Sequence, residues 1–363
     1  MSIISENKNI ECVLNENEKK INNDFIKDKS SKELSQKYKI SLNDTILSTS
    51  FLTPLFFPST KEYISFLSQS DNESKFSSFY FSQENLFNAF KSQINTKKLQ
   101  KSLVGISKKI IDNIIKNLSS NFRKVIKDKN GNYFCSSLIK ICSKEQRYKI
   151  IKELSSTLCD DCIDVYGTHP IQNLIEFASS EEEFKLILSS FNDFTKILMA
   201  SINQYGTYVI QKIIVHIPES FRMEFNLIFV KLVCVLARDI YGVSVIKKFI
   251  GNTKNEAIIK QISNLILTNF INLSENKYGN YLIQYLLEKW WNKDEGTMIK
   301  YYIVSKFHFL LENYYSAYVC NLYLKLCSKE EKMFLINSII NYQLKKNKAL
   351  LNTNDGKKDI KLK

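Results

Sequence analysis

The amino-acid sequence predicts an all-α protein built as an α-solenoid, and three observations predict it. A short phrase returns at even spacing, the residues after it share one helical amphipathic phase, and helix-start signals fall between successive copies. The copies are Asn130-Gly131-Asn132-Tyr133, Tyr166-Gly167-Thr168-His169, Tyr205-Gly206-Thr207-Tyr208, Tyr241-Gly242-Val243-Ser244, Tyr278-Gly279-Asn280-Tyr281 and, without glycine, Tyr315-Ser316-Ala317. Taking the residue after the glycine as the mark, they stand at Asn132, Thr168, Thr207, Val243, Asn280 and Ser316, 36 to 39 residues apart. A fixed period of this size marks stacked units, each burying its apolar face against its neighbours. Of the nine glycines, six (Gly131, Gly167, Gly206, Gly242, Gly279, Gly356) occupy this one slot. One step back from Asn132 lands on Thr96, and one step forward from Ser316 lands near Lys357.

In chain order, residues 1–75 are rich in Asn, Ser, Lys and Glu and read as a disordered, low-complexity N-terminal region. An apolar island from Phe51 to Pro58 interrupts it, with two prolines that argue against a regular helix. Residues 76–363 read as the repeat domain, its last repeat degenerate. Advancing 100° per residue from Thr207, the side chains of Val209, Ile210, Ile213 and Ile214 fall on an arc from about 200° to 340°, and Thr207, Tyr208 and Gln211 fall opposite. The helix from Asn280 repeats the layout, with Leu282, Ile283, Leu286 and Leu287 inward. From Thr168 the inward set includes Pro170, tolerated because the first turn has no intrahelical acceptor for its N–H. Between these helices Ser143-Lys144-Glu145-Gln146, Ser180-Glu181-Glu182-Glu183 and Ser328-Lys329-Glu330-Glu331 match the capping box that opens a second helix. Each repeat therefore holds at least two helices, and strand-type alternation is absent.

The formal net charge is +14. Residues 76–363 hold 41 basic and 26 acidic side chains, so the excess belongs to the repeats. A basic surface suits a polyanion such as nucleic acid. Only four basic residues are arginines, and Lys, Asn and Ile are inflated together, so compositional bias accounts for the charge equally well. No apolar run reaches the roughly 18 residues of a spanning helix, and the start lacks a basic and apolar leader pattern, so neither a membrane nor a secretory route is expected. Eight cysteines in such a chain are expected as reduced thiols. Cys159-Asp160-Asp161-Cys162 has metal-ligand spacing but no second pair, and no metal or cofactor is expected. With three histidines and no phosphate loop or nucleophile motif, an enzyme is disfavoured.

The outward positions form a column: Thr96, Lys97, Gln100; Asn132, Tyr133, Ser136; Thr168, His169, Gln172; Thr207, Tyr208, Gln211; Val243, Ser244, Lys247; Asn280, Tyr281, Gln284; Ser316, Ala317, Cys320. Residues i and i+4 share a helix face, so the first and third members can grip a planar group by its edge while the second lies against its face. An unpaired nucleobase has those needs. Thr96, Gln100, Asn132, Ser136, Thr168, Gln172, Thr207, Gln211, Lys247, Asn280, Gln284 and Ser316 are accordingly the candidate base-edge contacts, and Tyr133, His169, Tyr208 and Tyr281 the candidate stackers.

The phrase Gly-Asn-Tyr-x-x-Gln at this period, in a basic all-helical array, resembles the Pumilio (PUF) family of RNA-binding proteins over about residues 80–363. The resemblance implies a right-handed α-solenoid crescent of about eight three-helix repeats whose concave face takes single-stranded RNA, one base per repeat. It further implies messenger 3′ untranslated regions as targets, with repression or decay of the bound message, and deadenylase or translational-repressor proteins as partners. Asn280, Tyr281 and Gln284 match that family's uracil reader. Thr207 with Gln211, and Thr168 with Gln172, resemble its readers for adenine or relaxed choice. Asn132, Tyr133 and Ser136 lack the glutamine, and Val243, Ser244 and Lys247 lack both reader pair and stacker, although Lys247 can meet a phosphate. Ser316, Ala317 and Cys320 stand where the family reads the guanine of its UGUA core, and Lys357 and Lys361 where it reads the first uracil, so an ordinary UGUA element is not expected. The expected protein is a cytoplasmic monomer binding RNA and not DNA. Two alternatives stay open: a nucleolar protein of eroded readout acting on pre-ribosomal or structured RNA, and a HEAT-like protein-binding scaffold.

Overall fold

Several helices begin where a serine, asparagine or aspartate side chain caps them. In the computed structural model, which describes residues 80–358, Ser82, Ser92 and Ser107 cap α1 (Gln83–Phe90), α2 (Gln93–Lys101) and α3 (Lys108–Leu118). The capping boxes at Ser143 and Ser180 open α6 (Lys144–Leu154) and α9 (Glu181–Ser189), and Ser328 and Glu331 exchange the same pair of bonds at the start of the last helix. Each box satisfies two backbone amides that the helix cannot.

Most repeats are helix triplets: a short first helix, a second helix carrying the outward column, and a third that backs it. Between α3 and α6 lie α4 (Phe122–Ile126) and α5 (Gly131–Ile141). The third repeat places α7 (Leu158–Asp161) and α8 (Thr168–Phe177) before α9, and the fourth consists of α10 (Phe194–Ser201), α11 (Gly206–His216) and α12 (Glu219–Leu236). The fifth continues with α13 (Gly242–Asn252) and α14 (Glu256–Thr268), the sixth with α15 (Phe270–Ser274), α16 (Gly279–Lys289) and α17 (Asp294–Ser305), and the seventh with α18 (Phe307–Glu312), α19 (Ser316–Leu326) and α20 (Lys329–Lys358). Among the described residues there are twenty helices and no strand.

The second helices α2, α5, α8, α11, α13, α16 and α19 pack each on the next, and α3, α6 and α9, then α12, α14 and α17, stack behind them. The core runs between these layers, and the inward arcs of α11 and α16 are fully buried. A buried polar link joins the backing helices α6 and α9: the Arg147 guanidinium donates to Glu183 at 3.0 Å and to the Cys142 carbonyl, while Glu183 accepts from the Ser179 and Ser180 amides. No helix among the described residues is long and apolar enough to cross a membrane.

Three expectations change here. The fifth repeat has no separate first helix, because α12 runs for 18 residues through the place where the others break. Elsewhere that break carries Ser119-Ser120-Asn121, Ser155-Ser156-Thr157 or Thr268-Asn269, whose side chains compete for backbone groups, whereas residues 227–236 offer none of these types. At the C-terminal end no eighth second helix begins at Gly356, since α20 passes through that position and the Lys357 assignment loses its helix start. The third is the seventh repeat's register, described with the site. Residues 1–75, with the Phe51–Pro58 island, and Lys361 lie outside the described residues.

Candidate nucleic-acid interface

Every second helix from α5 to α19 starts from the same turn. An Asp or Asn three residues before the glycine slot accepts from two successive backbone amides. Asp128 accepts from Asn130 and Gly131, Asn203 from Tyr205 and Gly206, and Asn276 from Tyr278 and Gly279. Asp164 and Asp239 do the same. The turn brings the slot against the carbonyl six residues earlier. A Cβ on Gly131, Gly167, Gly206, Gly242 or Gly279 would sit 2.5–2.8 Å from the Val125, Asp161, Ala200, Leu236 or Leu273 oxygen. Close backbone approach, and not left-handed backbone, explains the glycine.

This turn corrects the register of the seventh repeat. Asn313 accepts from Tyr315 and Ser316, so Ser316 occupies the glycine slot. Its hydroxyl donates to Leu310 O, the carbonyl six residues earlier, and is fully buried. Cys320 is fully buried as well, next to Val319, in the inward positions that Val209 and Ile210 fill in α11. The outward column here is therefore Ala317, Tyr318 and Asn321, and Ser316 is a structural residue, not a base-edge contact. The signal that finds this in the sequence is the Asp or Asn three residues ahead of the slot, counted from Asn313.

The second members of the column stand into solvent. Tyr133, Tyr208 and Tyr281 are 55, 56 and 50% exposed, large for aromatic rings on a packed array. His169 is exposed too. In three columns the first member is buried and anchors the third. Asn280 donates to the Asn276 and Lys277 carbonyls, and its Oδ1 accepts from Gln284 Nε2 at 2.8 Å. Gln172 donates to Thr168 Oγ1 at 3.1 Å, and Gln211 to Thr207 Oγ1 at 3.4 Å. Gln172 and Gln284 are each held by one such bond, which leaves an Oε1 acceptor and a second N–H donor beside an exposed ring, whereas Gln211 Nε2 also donates to Ser244 Oγ and keeps only its Oε1 uncommitted. A planar group with a complementary edge fits that arrangement.

The remaining columns depart from it. Asn132 makes the same two bonds to its turn, but Ser136 is too short to reach it, and Asn132 Oδ1 is buried without a partner. Thr96 Oγ1 bonds the Ala89 and Ser92 carbonyls, and Gln100 donates at 2.9 Å to both Tyr133 O and Ser137 Oγ, so Gln100 ties the first repeat to the second and is not turned outward. Lys98 stands exposed where later repeats bury an apolar residue. In the fifth repeat Ser244 accepts from Gln211 Nε2, and the Lys247 ammonium lies 5.2 Å from the Tyr285 ring centroid, so Lys247 is placed for charge and not for edge reading. Among the described residues no cluster of three metal-ligating side chains occurs. Cys162 is buried, its thiol donating to Cys159 O, and hydrogen bonding from Cys162 holds the Cys159 thiol below the usual value.

Comparison with known proteins adds to this geometry. Residues 121–155, 162–189, 196–224 and 269–290 match the Pumilio-family RNA-binding repeat, which covers the second, third, fourth and sixth repeats. No curated protein sequence matches the chain. The fold is similar to that of the Puf4 RNA-binding domain bound to an HO endonuclease RNA 3′ UTR recognition sequence, at 22% identity, covering 69% of this chain and 77% of that one, with a TM-score of 0.63. It is similar to the RNA-binding domain of yeast Puf5p bound to SMX2 RNA, at 21% identity, 74 and 79% coverage and a TM-score of 0.59. PUF-8 in complex with PBE-RNA superposes with a TM-score of 0.55 at 17% identity, covering 77% of this chain and 92% of that one.

Proposed function

Taking the chain as a Pumilio-family repeat protein, on the repeats it carries and the fold it shares, we propose that it binds single-stranded RNA sequence-selectively along the face of its second helices. The observation that carries this is the recurring unit of an exposed ring, one residue after a buried anchor, beside a glutamine held outward by that anchor. A scaffold for protein ligands has no need of that unit three times in phase. Solved structures similar in fold hold RNA, and four of them are described as bound to 3′ UTR recognition sequences, which supports messenger 3′ untranslated regions as the target class. Repression or decay of the bound message, recruitment of deadenylase or repressor proteins, a monomeric state and a cytoplasmic place belong to the same proposal. The role is binding, not catalysis.

Selection from a randomised RNA pool tests it. The expected result is a short unpaired consensus containing a uracil that changes identity when Asn280 and Gln284 are replaced by Ser and Glu. A flat profile with a steep salt dependence would sink selective readout and favour phosphate-led binding to structured or pre-ribosomal RNA. The fifth repeat, with lysines in place of a reader, is the local observation that favours this second reading.

A further inference from the structure

The fifth repeat breaks the pattern in a directed way. Ser244 replaces the stacker, and its hydroxyl is already engaged, donating to Tyr241 O at 2.7 Å and accepting from Gln211. Val243 offers no polar atom. Neither residue is placed to hold a base.

Beside it lies a recess of 600 Å³ lined by Ser244, Lys247, Lys248, Tyr281, Tyr285 and Lys289 among others. The Lys247 and Lys289 ammonium groups stand 5.2 and 5.9 Å from the centroid of the one Tyr285 ring. That ring is seated close to α13 because residue 251 is glycine: a Cβ there would come within 3.0 Å of the Tyr285 hydroxyl. Among the described residues no carboxylate pairs with Lys247, Lys248 or Lys289. Two cations sharing one ring repel each other, and the ring's negative face offsets only part of that. An anion entering the recess removes the imbalance. Tyr281, the ring of the complete reader in α16, forms the neighbouring wall, so the recess lies on the path of any strand read by Gln284 and Gln211.

We propose that the fifth repeat seats a backbone phosphodiester of the bound strand instead of reading a base, with Lys247 and Lys289 as its cations, so that the nucleotide beside the one set by Gln284 is left unread. The inference rests on the RNA-binding reading above. It makes the array a reader with a deliberate gap: the strand stays anchored by charge where recognition lapses.

The test uses the full chain and the RNA recovered from the randomised pool, with affinity measured by fluorescence anisotropy. An abasic nucleotide is placed at each position in turn, and the salt dependence is compared between the wild-type chain and a Lys247→Gln, Lys289→Gln variant. Base stacking on an aromatic ring is worth about 5-fold to 100-fold in affinity. The expected profile loses at least about 5-fold at the nucleotide set by Gln284 and less than about 2-fold at the one beside it. Losing the one phosphate contact to single-stranded RNA lowers the slope of log affinity against log salt by about 0.7. Equal losses at both positions, or an unchanged slope in the variant, overturns the phosphate seat while leaving RNA readout standing. A wild-type chain that binds no RNA overturns both.

Discussion

Replacing Ser136 with glutamine tests the anchor-and-reader geometry directly. Asn132 and Asn280 occupy equivalent places and make equivalent bonds to their turns, yet only Asn280 has a glutamine four residues on. Asn132 Oδ1 is left buried and unpaired, a defect that costs about 1–3 kcal/mol. A glutamine at 136 reaching back as Gln284 does, to 2.8 Å, relieves it. Fixing a glutamine side chain costs back up to about 1.5–2 kcal/mol, less at a half-buried site. The expected net effect is a stabilisation of roughly 0.5–1 kcal/mol, read as an upward shift in the urea midpoint. In an Asn132→Ala background the same substitution brings no gain, because the orphan acceptor is gone, and the double-mutant cycle isolates the pair. Selection from the randomised pool with the Ser136→Gln chain then yields a second uracil. A midpoint that falls or stays put, together with an unchanged consensus, would refute the assignment of Asn132 as a vacant anchor.

Gly279→Ala, which in an ordinary helix interior stabilises, is expected here to lower stability by about 1–3 kcal/mol, since its Cβ would lie 2.5 Å from Leu273 O; thermal denaturation by circular dichroism checks the sign. Tyr318→Ala is expected to weaken RNA binding about as much as Tyr281→Ala, at least about 5-fold, while Cys320→Ala leaves affinity unchanged; the opposite ranking would restore the register that counts Ser316 as the mark. Alkylation at pH 7.5 followed by peptide mass mapping is expected to tag Cys159 first among the seven described cysteines. Hydrogen bonding from Cys162 lowers its thiol below the usual value, whereas burial pushes Cys142 and Cys320 up to about 12 and raises Cys135 as well, which keeps them protonated.

What the sequence discloses and what it conceals follow from the range over which each signal acts. The repeat period, the inward arc of α11 and the boxes at Ser143 and Ser180 are all encoded within one helix or one turn, and each is found where the local pattern puts it. The tyrosines could be placed on the solvent side because the arc was already filled. Gln100 could not be read the same way, since its partners are Tyr133 O and Ser137 in the next repeat, and the spacing of its own helix says nothing of them. Tyr285 and Lys289 escaped the three-position column because they lie one and two turns farther along α16 and meet Lys247 only when α13 and α16 are stacked. The fused α12 is legible after the fact, as a stretch without helix-breaking polar residues, but absence of a break is a weaker signal than a cap.

The seventh repeat shows which part of the phrase carries the architecture. Glycine is the most visible letter, yet it is the one that can be replaced. Five copies keep it because a Cβ would strike the carbonyl six residues back, and the sixth, whose turn admits a Cβ, puts serine there and lets its hydroxyl donate to the equivalent carbonyl, Leu310 O. The Asp or Asn three residues ahead has no such substitute: it holds two amides in every copy, including the one without glycine. The helix start, and with it the direction in which ring and glutamine face, is therefore set by that residue. Erosion of the reading positions in the second and fifth repeats leaves it untouched at Asp128 and Asp239, so the array keeps its geometry while its selectivity is free to change.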